Sequence, residues 1–151
     1  MRQIFVSMDV TAPLFWWKEE DQYKIGTVTN SCSTMFSIHK KEFDINDFSH
    51  DYLESLTDDE YNLSWQDWIN RIDILNYFRN RYIATKDKRY WKQLIEKLPS
   101  SYNQMRTLTM NYENVVNMIQ QRSGHKLDEW RTFTDILRKL PYIEEITGGE
   151  L

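Results

Sequence analysis

LPSSYNQMRTLTMNYENVVNMIQQRSGHKLDEW, residues 98–130, carries the densest information in the chain. Pro99 lacks a backbone N–H and restricts the residue before it, so the preceding helix must close at Leu98. Residues 102–110 read as extended. Tyr112 to Gln121 and Lys126 to Leu140 read as helices, with Ser123-Gly124-His125 as the break between them. Tyr102, Asn103, Gln104, Arg106, Asn111, Arg122 and His125 therefore fall near the ends of elements, where side chains converge without interrupting a ladder.

Working outward from this stretch, residues 3–9 alternate Ile4, Val6 and Met8 with Gln3, Phe5 and Ser7, a period of two that predicts a half-buried strand. Pro13 opens an amphipathic helix through Phe15, Trp16 and Glu19 that should end before Gly26. GTVTNSCSTMFS, residues 26–37, is small and polar without a helical period, and reads as a loop whose side chains bond backbone or ligand. The acidic segment from Lys40 to Tyr61 reads as short helical turns. Ser64 is the expected N-cap of a long helix carrying Trp65, Trp68, Ile69, Ile72, Leu75 and Phe78 to about Ala84. A second helix, Asp87 to Leu98, carries Trp91, Leu94, Ile95 and Leu98 on one face, and the two are expected to pair antiparallel. No internal repeat or linker interrupts the chain, and residues 1–151 are expected to form a single domain.

Composition narrows the function classes. With 151 residues, 40% hydrophobic, 28% charged, 4 Gly and 3 Pro, the chain is a packed globular protein. Its 6 Trp, 9 Tyr and 7 Phe exceed what a core of this size needs, which suits an oligomer interface or a stacking pocket. A net charge of −4 argues against polynucleotide as a partner, because phosphate backbones need clustered Lys and Arg. A mononucleotide is not excluded by charge. The single cysteine, Cys32, precludes an internal disulfide and reads as an inert thiol, in keeping with a cytoplasmic protein. Neither a signal peptide nor a membrane span is expected.

The common enzyme signatures are absent: there is no Gly-rich phosphate loop, no Gly-x-Ser-x-Gly and no His-Glu-x-x-His. His39, His50 and His125 are scattered, so no metal site is expected. Arg122 has two readings. At the C-terminal end of a helix its cation offsets the dipole and bonds the last carbonyls. Alternatively, its planar fork grips a phosphate or a uracil-like carbonyl edge.

Leu98-Pro99, Tyr102, Asn111, Arg122 eleven residues later, then His125 and Glu129, together resemble the C-terminal signature of flavin-dependent thymidylate synthases. The interval from Arg122 to His125 is one residue shorter than in that family. The family's other signature, Arg-His-Arg-x7-Ser-x-Arg, aligns with Tyr23-Lys24-Ile25 and Ser33-Thr34-Met35, and Asn30 also matches. The flavin-contacting basic triplet is thus Tyr-Lys-Ile, and Met35 stands in place of the Arg that grips substrate phosphate. Glu113 replaces an Arg that helps hold the flavin adenylate. The resemblance covers residues 13–36 and 98–130.

The resemblance implies an α+β subunit, a small antiparallel sheet flanked by helices, assembled as a homotetramer with sites between subunits. It implies Arg122 as the catalytic residue, polarising the uracil of dUMP. Ser33, Tyr102, Gln104, Arg106 and Arg122 would bind substrate, and Lys24, Asn30, Asn111 and His125 would bind FAD. NADPH and methylenetetrahydrofolate would serve as co-substrates, reduced flavin passing a hydride in the methylation of dUMP. A second hypothesis keeps the nucleotide pocket without catalysis, to sequester or sense a nucleotide or a nucleotide-derived signal. A third is a structural or interaction protein whose Asn and Arg are merely caps.

Overall fold

A computed structural model describes residues 1–31 and 34–151; the side chains of residues 34 and 35 fall outside that description. In chain order the elements are β1 (Phe5–Pro13), α1 (Leu14–Glu20), β2 (Thr27–Ser31), α2 (Thr34–Ser37), α3 (Asp58–Thr85), α4 (Lys88–Lys97), β3 (Asn103–Asn111), α5 (Tyr112–Arg122), α6 (Asp128–Leu137) and α7 (Ile143–Thr147). Short 3-10 turns lie at Ile45–Asp47 and Leu53–Ser55. This is the α+β arrangement expected, a small sheet with flanking helices. The described residues group into two compact units, one of Met1–Ser31 with Met105–Leu151 and one of Cys32–Gln104.

The first unit holds the three-stranded sheet, ordered β1-β3-β2. β2 runs antiparallel to β3 in a register that sets Thr27 against Met110 and Ser31 against Arg106. Along the outer face of β1, Ser7 Oγ meets Thr109 Oγ1 at 2.7 Å, and Thr107 Oγ1 donates to Asp9 Oδ1 at 2.7 Å. Those cross-strand pairs run in opposite senses along the two strands, so β1 and β3 are antiparallel as well. Of the alternation read in residues 3–9, Val6 and Met8 pack on the core, as does Val10 beyond it, and Phe5 faces out at 63% exposure; Ile4, read with the buried set, precedes β1 and is 44% exposed.

β2 corrects the reading of residues 26–37 as a loop. Thr27, Val28 and Thr29 are β-branched and suit an extended backbone, and a polar, five-residue edge strand lacks the apolar alternation that marks a strand in sequence. The inner face of the sheet is covered by α1, α5 and α6. There Trp16, Trp17, Leu108, Met110, Val115, Met118, Trp130 and Leu137 form one buried cluster. Trp16 sits 4.7 Å from the ring of Trp130 and 5.1 Å, edge-on, from Phe133. Offset and edge-on contacts of this kind add to what burial of the rings already contributes.

The second unit is built on the α3 and α4 hairpin, whose Leu75 and Leu94 are buried with Ile38, Phe43 and Phe48. α3 begins six residues before the Ser64 cap read from sequence. Thr57 and Glu60 form a capping box, with the Thr57 N–H and hydroxyl donating to the Glu60 carboxylate at 3.1 and 2.7 Å. Three acids in the first turn, Asp58, Asp59 and Glu60, favour the positive end of the helix dipole. α3 stops where Lys86 turns left-handed at φ 56°, and Asp87 caps α4 by accepting from the Arg89 N–H at 2.9 Å. Phe43 is pinned to α3 by Asn76, which accepts its N–H and donates to its carbonyl, both at 2.9 Å.

One buried group conflicts with its surroundings. Glu20, on α1, is 1% exposed, and neither carboxylate oxygen has a hydrogen bond of normal geometry among the described residues. Burial, reinforced by the charge of Asp21, pushes its pKa up to about 7, against the opposing pull of Arg106 and the Thr29 hydroxyl. The folded state therefore holds a proton that the unfolded chain releases near its ordinary value of 4.5. Stability from this group is full below that value and is lost as pH rises through 7. Urea unfolding at pH 5 and pH 8 should show a loss of about 2 kcal/mol that Glu20→Gln removes. A Glu20→Gln profile parallel to wild type would mean that the carboxyl ionises normally.

Candidate functional site

The strongest convergence of polar side chains in the first unit lies where the C-terminal turn of α1 meets the α5–α6 junction. Arg122 ends α5, and its Nε donates to the Tyr23 hydroxyl at 2.9 Å while its Nη1 donates to Glu19 Oε2 at 3.3 Å. The Tyr23 hydroxyl in turn donates to Gln121 Oε1 at 3.0 Å. Trp130 Nε1 donates to the same Glu19 oxygen at 3.0 Å, and His125 Nε2 lies 3.4 Å from it. The guanidinium carbon stands 4.9 Å from the centre of the Trp130 ring and 5.6 Å from that of Tyr23. Arg122 is thus a cation held against two rings with a carboxylate across its edge.

The junction is held in shape by Arg131 on α6 and Arg138 just beyond its end. Arg131 Nη1 donates to the His125 carbonyl at 3.1 Å, and Arg138 Nη2 donates to Ser123 Oγ at 2.7 Å. His125 Nδ1 accepts the Leu127 N–H at 3.1 Å. An accepting Nδ1 places the neutral ring's proton on Nε2, facing Glu19. The Arg122 side chain is 20% exposed and that of Glu19 31%. Among the described residues Arg122 Nη2 has no hydrogen-bond partner, so one donor edge of the fork is available to a carbonyl or phosphate oxygen.

The helix-end reading of Arg122 does not describe this geometry. Backbone capping falls to Ser123, whose N–H bonds the Ile119 carbonyl at 3.2 Å and whose hydroxyl bonds it too. Arg122 instead reaches across to α1.

The other expected site residues are placed as follows. Arg106 is engaged separately: its Nη1 pairs with Asp21 Oδ1 at 3.0 Å, and its guanidinium carbon lies 4.6 Å from the centre of the Trp17 ring. Asn111 is 9% exposed and caps α5, its Oδ1 accepting the Asn114 N–H at 3.0 Å. Its N–H also donates to the Gly26 carbonyl at 3.2 Å. Gly26 has φ 75°, and a Cβ there would stand 2.5 Å from Asn111 Nδ2, so only glycine fits the approach. Lys24 and Asn30 are exposed, Asn30 standing opposite Thr107 on the sheet edge.

Tyr102 and Gln104 belong to the second unit. Tyr102 packs edge-on against Phe43 and Phe48 at 6.4 and 5.9 Å and bridges Phe48 through the backbone. Burial, then the charge of Asp47, pushes its phenol pKa up. Ser33, expected to bind substrate, and Cys32, expected to be an inert thiol, both lie outside the described residues. Glu113 is paired with Arg2 Nε at 2.8 Å on the surface.

Sequence reasoning missed Glu19 and Trp130 as site residues, and Tyr23 as anything more than the start of the Tyr-Lys-Ile triplet. Glu19 lies 103 positions from Arg122, and no local spacing reports such a contact. The aromatic surplus was the one available signal for Trp130.

No protein-family model matches the sequence, and no curated protein sequence matches it. The fold does have counterparts. A crystal structure of the flavin-dependent thymidylate synthase ThyX from Helicobacter pylori, complexed with FAD and dUMP, is similar over 94% of this chain and 70% of its own, with a TM-score of 0.61 and 16% identity. A second structure of that enzyme with FAD and dUMP, at 2.31 Å resolution, gives a TM-score of 0.60 and 15% identity over the same shares. The fold is that of a flavin-dependent thymidylate synthase subunit. Among the described residues, no helix of this ThyX-like fold is long and apolar enough to cross a membrane.

If Asn111 is held by its capping role, Asn111→Ala should cost about 1–2 kcal/mol in the absence of any ligand. Asn111→Asp, an equally good cap acceptor, should recover most of that loss in the same denaturation experiment. Equal losses for both variants would show that the Asn111 amide group, and not the cap, holds the turn.

Proposed function

We propose that the chain is a distant relative of the flavin-dependent thymidylate synthases that binds a pyrimidine nucleotide through Arg122, with dUMP as the ligand to test first. The observation that carries this reading is the Arg122 guanidinium, clamped on Tyr23 and Trp130 with its Nη2 edge unpartnered among the described residues. A planar cation immobilised in this way loses little rotamer freedom on binding and presents its Nη2 edge to a carbonyl or phosphate oxygen. Support also comes from the fold, since the two similar enzyme structures contain FAD and dUMP.

Binding without turnover is the better supported form of this reading. Of the residues expected to hold FAD, Asn111 caps α5, Lys24 and Asn30 stand exposed, and His125 Nδ1 is engaged by the Leu127 N–H. Position 113, an Arg in the family pattern, is an anion paired with Arg2. A dianionic phosphate that loses a charge-assisted bond loses about 1.5–3 kcal/mol of affinity for each. In an active relative FAD would supply the hydride chemistry, with NADPH as reductant and methylenetetrahydrofolate as carbon donor. The residues of this chain would then bind and orient the pyrimidine through Arg122 and contribute no nucleophile. A tetramer with sites shared between subunits belongs to the same proposal, and the aromatic surplus supports it.

Calorimetric titration of dUMP into the purified protein should show saturable binding that Arg122→Ala abolishes while the far-UV spectrum is retained. Arg122→Lys should not restore it, because a point charge lacks the planar fork. Unchanged affinity in Arg122→Ala would remove this residue from the site. A flavin absorbance band at purification, with oxidation of NADPH dependent on dUMP, would instead favour the catalytic reading over the binder.

A further inference from the structure

We infer that Glu19 is an internal competitor for the Arg122 site, its carboxylate occupying the place that a ligand's oxyanion takes. The inference rests on the proposal that Arg122 binds ligand. Two donors from two different elements converge on one oxygen, Glu19 Oε2, Arg122 Nη1 at 3.3 Å and Trp130 Nε1 at 3.0 Å, and His125 Nε2, from the loop between those elements, lies 3.4 Å from it. Convergence of a guanidinium, an indole N–H and an imidazole N–H on a single point is how a protein holds an anionic oxygen. In this conformation the anion is supplied by the chain itself.

The occupant is removable. Glu19 stands one residue from the end of α1, its side chain is 31% exposed, and two of its three contacts are longer than the usual charge-assisted bond. The donors, by contrast, are fixed whether or not Glu19 is present. Trp130 is fully buried, Arg122 is held by Tyr23, and the His125 loop is held by Arg131 and Arg138. Swinging Glu19 out toward solvent would leave a preorganised oxyanion cradle of about the same net charge as a lone Arg.

A carboxylate in the cradle repels a phosphate at contact distance and occupies its donors, so the two bind exclusively. Apparent affinity then scales with the fraction of molecules in which Glu19 has left; a cradle open about one-tenth of the time binds about tenfold more weakly than an open one. Glu19 thereby weakens the binding of ligands that carry a phosphate and leaves a nucleoside that lacks one unaffected.

The test is titration of inorganic phosphate, dUMP and deoxyuridine into wild type, Glu19→Ala and Glu19→Ala/Arg122→Ala by calorimetry at low ionic strength. Glu19→Ala should bind phosphate and dUMP at least about tenfold more tightly than wild type, with deoxyuridine unimproved and the double variant losing the gain. Equal or weaker binding of phosphate by Glu19→Ala would overturn the inference and make Glu19 a structural or ligand-reading group. Should Glu19→Ala fail to fold by circular dichroism, Glu19→Gln carries the test. It keeps an acceptor for Trp130 without the charge, and no gain in phosphate affinity there would equally sink the idea. Phosphate gained through Arg122 with no dUMP binding in any variant would sustain the competitor and end the nucleotide reading. Binding of dUMP by wild type, lost in Arg122→Ala but not improved in Glu19→Ala, would do the reverse.

Discussion

The packing of α1 on the α5–α6 junction, made by Trp16 against Trp130 and Phe133, is the constraint on which the first unit depends. It joins α1, from the N-terminal part of the chain, to the α5–α6 junction 103 residues later. There the ring of Trp130 meets Trp16 and Phe133, so the polar cluster and the aromatic core share one residue, Trp130. The indole ring faces the core and its N–H faces the carboxylate, which is how a buried Trp satisfies its one polar atom. Displacing α1 would therefore open both the polar cluster and the aromatic core at once.

Three consecutive acids, Glu19, Glu20 and Asp21, sit at the C-terminal end of α1, where the helix dipole is negative and favours cations instead. Each resolves the conflict differently because successive residues point about 100° apart around a helix. Glu19 turns toward the α5–α6 junction and meets Arg122. Asp21 turns toward the sheet and meets Arg106, itself stacked on Trp17. Glu20 faces the core, finds no good hydrogen bond, and keeps its proton to near neutral pH. One short helix end thus determines where the two arginines expected in the site, Arg106 and Arg122, are held.

How much of this was legible in the sequence follows the range of each interaction. The strand in residues 3–9, the β3-to-α5 passage and the helices on either side of Lys86 and Asp87 rest on local periodicity and capping, and they are where the spacing puts them. The start of α3 was missed because Ser64 reads as the cap, whereas the Thr57 and Glu60 capping box, with Asp58 and Asp59 behind it, starts the helix earlier. β2 was missed because an exposed edge strand carries no apolar alternation. Of the polar cluster, the place of Arg122 at the end of α5 was legible from the helical period that precedes it. Its partners were not, because Glu19 and Tyr23 lie about 100 residues away and contribute no local pattern.

The Tyr23-Lys24-Ile25 triplet shows how a substituted motif can keep its position while changing its physics. In the family pattern that this segment resembles, the triplet is basic. Here its first residue, Tyr23, accepts from the Arg122 Nε and donates to Gln121, and its second, Lys24, stands exposed. A cation at position 23 would be placed against the Arg122 guanidinium, and like charges at that separation destabilise one another. Tyrosine, by contrast, offers Arg122 both a ring face and an acceptor oxygen. Tyr23, from the segment that follows α1, and Glu19, on α1 itself, together hold Arg122 in place.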